Sequence, residues 1–337
     1  FPLLGLGAAA GAETILGPEC MSLAMFYLCC AYAVNALSPK LAGKLQVSTT
    51  IIKLIPLFLM AIAGIVVGIA NGTLANNFNT LADVGTTSTS PLFASVCATA
   101  FAYEGWIIAT SINAELKDAK KNLPRALVIG AIIIIATYIF YYVGVAGGAT
   151  NQELIDSGAT VAFINVFGNV LGNILNLFIA ISCIGTMNGL MLGCVRGLYS
   201  IAVRGRGPAP HVFSQIDKET NMPHNSAIVG LLLCGFWGLY FFLANLAGTW
   251  SGPFVFDSSE LPIITLYAIY IPIYIALLKR RDLSGFRGKV MPVLAILCSL
   301  FMVFAAIYSH KINVVYYLIV FVVIEVIGAF FKSGRKA

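Results

Sequence analysis

Every second connection between the apolar runs of this chain is basic, and that alternation restricts the fold more than any single motif does. The runs cover about Met21–Leu37, Thr49–Ala70, Pro91–Ile112, Ala126–Gly148, Leu171–Val195, Ala227–Ala244, Phe254–Leu278, Val290–Ser309 and Val314–Phe331. Each is close to the ~20 apolar residues that carry a helix across a bilayer. Eighteen of the 20 lysines and arginines fall in five places. These are Lys40 and Lys44 after the first run, Lys117, Lys120, Lys121 and Arg125 after the third, and Arg196, Arg204, Arg206 and Lys218 after the fifth. Lys279, Arg280, Arg281, Arg287 and Lys289 follow the seventh, and Lys332, Arg335 and Lys336 follow the ninth. The intervening connections carry only Lys311, and Lys53 is inside a run. One missed span would scramble this order, so the sequence predicts nine transmembrane helices. Basic connections stay on the cytoplasmic side, which puts the C-terminus inside and Phe1 outside. The chain starts at Phe1 without a signal peptide, and an intact protein that begins inside would have an odd number of further spans upstream.

Composition agrees. The chain is 59% hydrophobic and only 10% charged, too little charge to cover a soluble domain of 337 residues. The fold class is therefore all-α and polytopic. The eight cysteines form no metal-binding spacing and lie mostly in the apolar runs, where they read as small buried hydrophobes. No nucleophile–base set is visible, and the three histidines (His211, His224, His310) are expected in loops, so neither an enzyme nor a metal or other cofactor is expected. Topology and anionic lipid account for the basic residues, so no nucleic-acid partner is expected.

Four ionisable residues fall within the spans: Lys53, Glu104, Glu260 and Glu325. Such groups mark function by default. Lys53, about one turn from the cytoplasmic end, either snorkels to the interface or is a fixed cation in the bundle. Glu260 and Glu325 are expected to be structural, the former capping the outer end of a kinked span. Glu104 lies a few residues past the middle of its span and is followed by Gly105, in "ATAFAYEGWIIATS". A break there gives an outer half-helix ending in free carbonyls and an inner half-helix beginning with free N–H groups. That pair of seats suits a zwitterion, and discontinuous helices at the midplane mark transporter sites. The alternatives are an intact helix with Gly105 as a packing notch and a protonated Glu104 bonded to a neighbouring helix.

Three segments carry a resemblance to a known family. "FAYEGW" followed by "NAELKDAKKNLPRAL" resembles the sixth helix and following loop of the L-type branch of the amino acid–polyamine–organocation (APC) transporters. "CIGTMNGLMLGCVRGLYSIAVRGRGPAPHVF" is similar to that branch's eighth helix and its loop, and "NALSPKLAGKLQVSTTIIKL" to the fourth-to-fifth helix connection. Within the branch the likeness is to the bacterial serine/threonine exchangers, and it covers essentially the whole chain.

The resemblance implies a LeuT-like inverted-repeat fold of which the first three helices are missing here. Residues 1–20 would be an extracellular loop and the tail of a missing helix, and residues 21–70 the last two helices of the first repeat. Residues 91–278 would form the complete second five-helix repeat, and residues 290–331 two peripheral helices. Phe101 would be the aromatic gate, and the carbonyls of Phe101, Ala102 and Glu104 would accept the substrate ammonium, with Tyr103, Gly105 and Trp106 completing the broken segment. Asn188 would line the site from the eighth helix. Lys53 matches a family lysine that stands where related transporters bind sodium. The implied activity is exchange of small neutral amino acids in the plasma membrane by alternating access, without a heavy-chain partner in a bacterium. Many L-type members have Gly at the position of Glu104; an acidic group there opens the alternative of proton-coupled symport. A truncated, non-transporting membrane protein is the remaining alternative.

Overall fold

The computed structural model describes residues 18–80, 91–111, 116–246, 252–256, 261–280, 283 and 285–331. In order, its helices are α1 (Pro18–Leu37), α2 (Pro39–Ala70), α3 (Thr73–Asn79), α4 (Pro91–Tyr103), α5 (Ile108–Ser111), α6 (Ala119–Gly148) and α7 (Asn151–Ser157). They continue with α8 (Ala159–Ala202), α9 (Pro210–Phe213), α10 (His224–Phe241), α11 (Leu261–Leu278), α12 (Met291–His310) and α13 (Ile312–Phe330). Among the described residues there is no strand, and nine helical stretches are long and apolar enough to cross a membrane. The chain is thus an all-α, multi-pass membrane protein with the span count that the charge alternation predicts.

Several boundaries move for local reasons. Lys40 and Lys44 lie in the first turns of α2 rather than in a loop, because Ser38 caps the helix (its Oγ accepts the Leu41 N–H at 3.4 Å) and Pro39 opens it. Helix α8 begins at Ala159, well before the expected Leu171, and turns a corner at Gly168, whose φ of 76° favours glycine. Between α7 and the first part of α8 the chain bends by 105°. Helix α11 starts at Leu261 rather than Phe254; the preceding strap is held by the Tyr240 hydroxyl, which donates to the Phe254 carbonyl at 2.7 Å. Glu260 lies outside the described residues.

Small residues set the tightest packing. Gly64 and Gly68 of α2 meet Gly144 and Gly147 of α6 backbone to backbone, and Gly185 of α8 receives the Thr49 side chain of α2. Between helices in lipid, where apolar burial gives no net drive, such close approach supplies the association energy. Met60, Phe163 and Leu175 fill the gap left between α2, α6 and α8. A second cluster, around Met191, Val195 and Met222, joins α1, α8 and α10. A third, around Phe256, Leu261, Ala305 and Tyr317, joins the strap before α11 to α10, α12 and α13. The Asn-rich α3 has a structural task. Asn77 of α3 is buried, donates to the Ala146 and Ala149 carbonyls at 2.7 Å, and accepts the Asn151 N–H at 3.0 Å. It thereby satisfies the C-terminal carbonyls of α6.

Two expectations are corrected. Only Cys97 of the cysteines is buried; Cys29, Cys30, Cys183 and Cys298 are exposed. In lipid an outward thiol is as well solvated as an inward one, so apolar character does not predict burial. The histidines are not in loops: His211 is in α9, His224 opens α10, and His310 closes α12. Glu325 is on an exposed face of α13, without a hydrogen-bond or ion-pair partner among the described residues.

Candidate functional site

The third span is broken where its sequence pairs Glu104 with Gly105. Helix α4 ends at Tyr103, residues 104–107 form turns, and α5 begins at Ile108. Gly105 has a φ of 110°, in the region that L side chains avoid, so the break depends on glycine here. Across it the backbone bonds tighten to three-residue steps: Glu104 N–H to the Phe101 carbonyl at 3.1 Å and Ile108 N–H to the Gly105 carbonyl at 3.0 Å.

The carbonyl seat at the end of α4 is partly occupied. The Phe101 carbonyl takes the Glu104 N–H, and the Ala102 carbonyl accepts the Tyr138 hydroxyl of α6 at 3.1 Å. Each keeps a second lone pair. The Tyr103 and Tyr138 rings lie 5.1 Å apart, which seats the break against α6. Phe101 and Trp106 are 53% and 43% exposed, so both rings stand out from the packed bundle. Trp106 also lies 5.6 Å from the Tyr270 ring of α11.

The half of the span that follows the break is short. Among the described residues α5 has four residues, and the N–H groups of Ile108, Ala109 and Thr110 are already bonded to the carbonyls of Gly105, Trp106 and Ile107. The N–H groups left without a hydrogen bond among the described residues at the start of this half are those of Trp106 and Ile107.

Glu104 itself is half-buried. Its Oε2 accepts the Gly105 N–H at 3.2 Å, whereas its Oε1 is shielded and has no hydrogen-bond partner. The Tyr270 hydroxyl is shielded and unpartnered too.

Lys53 and Asn188 are not brought into bonding contact with this segment. Lys53 is half-buried on α2, with no hydrogen-bond or ion-pair partner among the described residues. Asn188 of α8 is buried in a polar knot. It accepts the Asn35 amide at 2.8 Å and donates to the Ala42 carbonyl at 3.4 Å and to Gln46 Oε1 at 3.3 Å. Tyr138 and Tyr270, which the sequence did not single out, are the side chains that flank the break. For Tyr270 a signal existed: Tyr267, Tyr270 and Tyr274 recur at helical spacing in "LYAIYIPIY".

A family profile described as amino acid permease matches residues 7–330. The serine/threonine exchanger SteT of Bacillus subtilis (strain 168) is 27% identical over 88% of this chain and 64% of its own length. The b(0,+)-type amino acid transporter 1 of Mus musculus is 27% identical over 86% of this chain and 58% of its own. The human cystine/glutamate transporter is 26% identical over 58% of this chain and 38% of its own. The chain thus spans less than two-thirds of the length of the relatives it matches. With a profile match along nearly all of it and a membrane-length helix broken at an acidic residue and glycine, the chain belongs to the amino acid permease family.

Proposed function

We propose that the protein exchanges small neutral, serine/threonine-like amino acids across the plasma membrane by alternating access. The observation that carries this reading is the helix broken at Glu104–Gly105, in a span otherwise apolar enough to cross the bilayer. A helix interrupted at membrane depth is tolerated where it lines a cavity or is buried in protein. Here it leaves the second lone pairs of the Phe101 and Ala102 carbonyls for a substrate ammonium, between the exposed rings of Phe101 and Trp106. Residues 91–278 act as one five-helix repeat that rocks against the rest and opens the site to each side in turn. Lys53 supplies a fixed cation in α2 in place of a coupling ion, and Asn188 holds α8 in register with α1 and α2. The C-terminus is cytoplasmic by the placement of the basic connections, and the substrate class follows the name of the Bacillus relative. A bacterial protein of this kind works without a heavy chain.

The test is exchange in proteoliposomes, with the protein expressed from its native reading frame. Vesicles loaded with serine or threonine are expected to take up labelled serine, and empty vesicles are not. Equal uptake into empty vesicles removes exchange; no uptake into either removes permease activity.

A further inference from the structure

Cys194 of α8 and Cys234 of α10 meet thiol to thiol: the Cys234 S–H donates to Cys194 Sγ at 3.4 Å. The two residues sit at matching depth on helices that run in opposite directions. Cys194 comes eight residues before its span ends at Ala202, and Cys234 ten residues after its own span begins at His224. At 1.5 Å rise per residue both are about 12–15 Å from the side of the membrane on which the two spans are connected.

The helices touch through their backbones at this level. A Cβ built on Gly230, one turn before Cys234, would lie 2.6 Å from the Cys194 carbonyl oxygen and 3.6 Å from the Cys194 Cβ. Disulfides join Cβ atoms about 3.5–4.5 Å apart, so α8 and α10 run at bridging distance. On their inner side both cysteines back onto the cluster of Met191, Val195 and Met222. Each is only half-buried, so part of each side chain is open at membrane depth. A charged oxidant pays heavily to reach that depth; an uncharged, lipid-soluble one does not.

We propose that Cys194 and Cys234 form a redox modification site, at which a lipid-soluble quinone oxidises the thiol pair to a disulfide that staples α8 to α10. One S–S bond forms and two S–H bonds break. The two electrons and two protons pass to the quinone, which leaves as the hydroquinone. A dithiol reductant reverses the step, returning both protons as its own thiols become a disulfide. Both cysteines fall within residues 91–278, the unit that moves as one body in the proposed exchange cycle. The staple therefore acts on stability, by restraining the unfolded chain, and not on turnover.

The probe is duroquinone, whose ring positions are all substituted, so that it oxidises thiols without adding to them. Wild type, Cys194→Ser and Cys234→Ser are reconstituted and treated with it, and then with dithiothreitol. Peptide mass spectrometry, melting temperature and labelled-serine exchange are followed. In wild type a Cys194–Cys234 disulfide is expected, with the loss of two hydrogens per chain, a raised melting temperature and unchanged exchange, all restored by dithiothreitol. Neither serine variant is expected to show the thermal shift. Free thiols at both positions in treated wild type overturn the proposal, as does an equal thermal shift in the serine variants. A disulfide that forms and stops exchange overturns the stability role, and shows that α8 and α10 move against each other during transport. Exchange that is absent before oxidation removes the permease reading alone; the mass and melting results still decide the staple.

Discussion

Asn35 and Asn188, 153 residues apart in sequence, are joined side chain to side chain: the Asn35 amide donates to the Asn188 side-chain oxygen at 2.8 Å. The same Asn35 amide reaches the Asn188 backbone carbonyl at 3.2 Å, and Asn188 turns its own amide toward Ala42 and Gln46. Both asparagines are buried, so α1, α2 and α8 share one fully committed polar centre. Truncating Asn188 to Ala removes its side-chain bonds to Asn35, Ala42 and Gln46, while the Asn35 amide keeps the Ala31 and Asn188 backbone carbonyls, so the cost is expected to be about 0.6 kcal/mol for each interhelical bond lost. Asn188→Ala is expected to lower the melting temperature in detergent, and Asn35→Ala plus Asn188→Ala together are expected to cost less than the sum of the two. A weakened substrate affinity with an unchanged melting temperature would mean instead that Asn188 serves the substrate.

The contact between α2 and α6 makes a sharper stability prediction. A Cβ on Gly64 would run into the Gly144 carbonyl oxygen, and backbone has no rotamer by which to yield. Gly64→Ala is expected to cost about 1–3 kcal/mol as overpacking. Gly130, on the same α6, faces open space. Gly130→Ala is expected to be neutral or to stabilise by about 0.5–1 kcal/mol, because alanine loses less backbone freedom within a helix. Melting temperatures of the two variants in one detergent decide; equal destabilisation removes the packing argument.

Gly105 separates backbone conformation from crowding. Nothing lies within 4 Å of a Cβ built there, yet its φ of 110° strains any L residue. Gly105→Ala therefore costs about 1–3 kcal/mol of local strain without a clash. If the break holds substrate, that strain falls on the transport cycle, and labelled-serine exchange is expected to drop by about one to two decades, more than expression or melting temperature does. Unchanged exchange would show that the helix need not be broken at this residue.

The spans were legible because hydropathy and charge placement are properties of each segment alone. So was the break at Glu104–Gly105, since a charge and a helix-weakening residue stand together mid-span. The start of α2 was not: Lys40 and Lys44 look like loop residues until the Ser38 cap and Pro39 are weighed. Tyr138 and Tyr270 were missed because their role depends on which helices neighbour α4, and that is a tertiary fact. The burial of cysteines was misjudged because the rule linking apolar character to burial belongs to water. The free N–H groups past the break were expected from helix polarity alone; that they belong to Trp106 and Ile107, with three-residue turns taking those of Ile108 to Thr110, appears only once the backbone of residues 104–110 is traced.

In the connection between α8 and α10, a pH response follows from one carboxylate. Asp217 Oδ2 accepts the Thr220 N–H at 2.8 Å, the Thr220 hydroxyl at 2.9 Å and the Glu219 N–H at 3.1 Å, with His224 Nε2 3.7 Å away. The Thr220 bonds, backbone then side chain, hold the Asp217 carboxyl below its ordinary value, with Glu219 and the His224 charge adding to the effect. A depressed carboxylate stabilises the fold above the unfolded-state value of about 3.9, and that contribution fades as pH falls through the lower folded-state value. The turn is thus expected to stay closed through neutral and mildly acidic pH and to open only below the usual aspartate range. Asp217→Asn keeps an acceptor oxygen and removes the charge, so it is expected to loosen the turn at neutral pH and to flatten the acid response. Amide hydrogen exchange at Glu219 and Thr220 reads both. Protection that is lost already near neutral pH in the wild type, or is unaltered in Asp217→Asn, would show that the carboxylate does not close this turn.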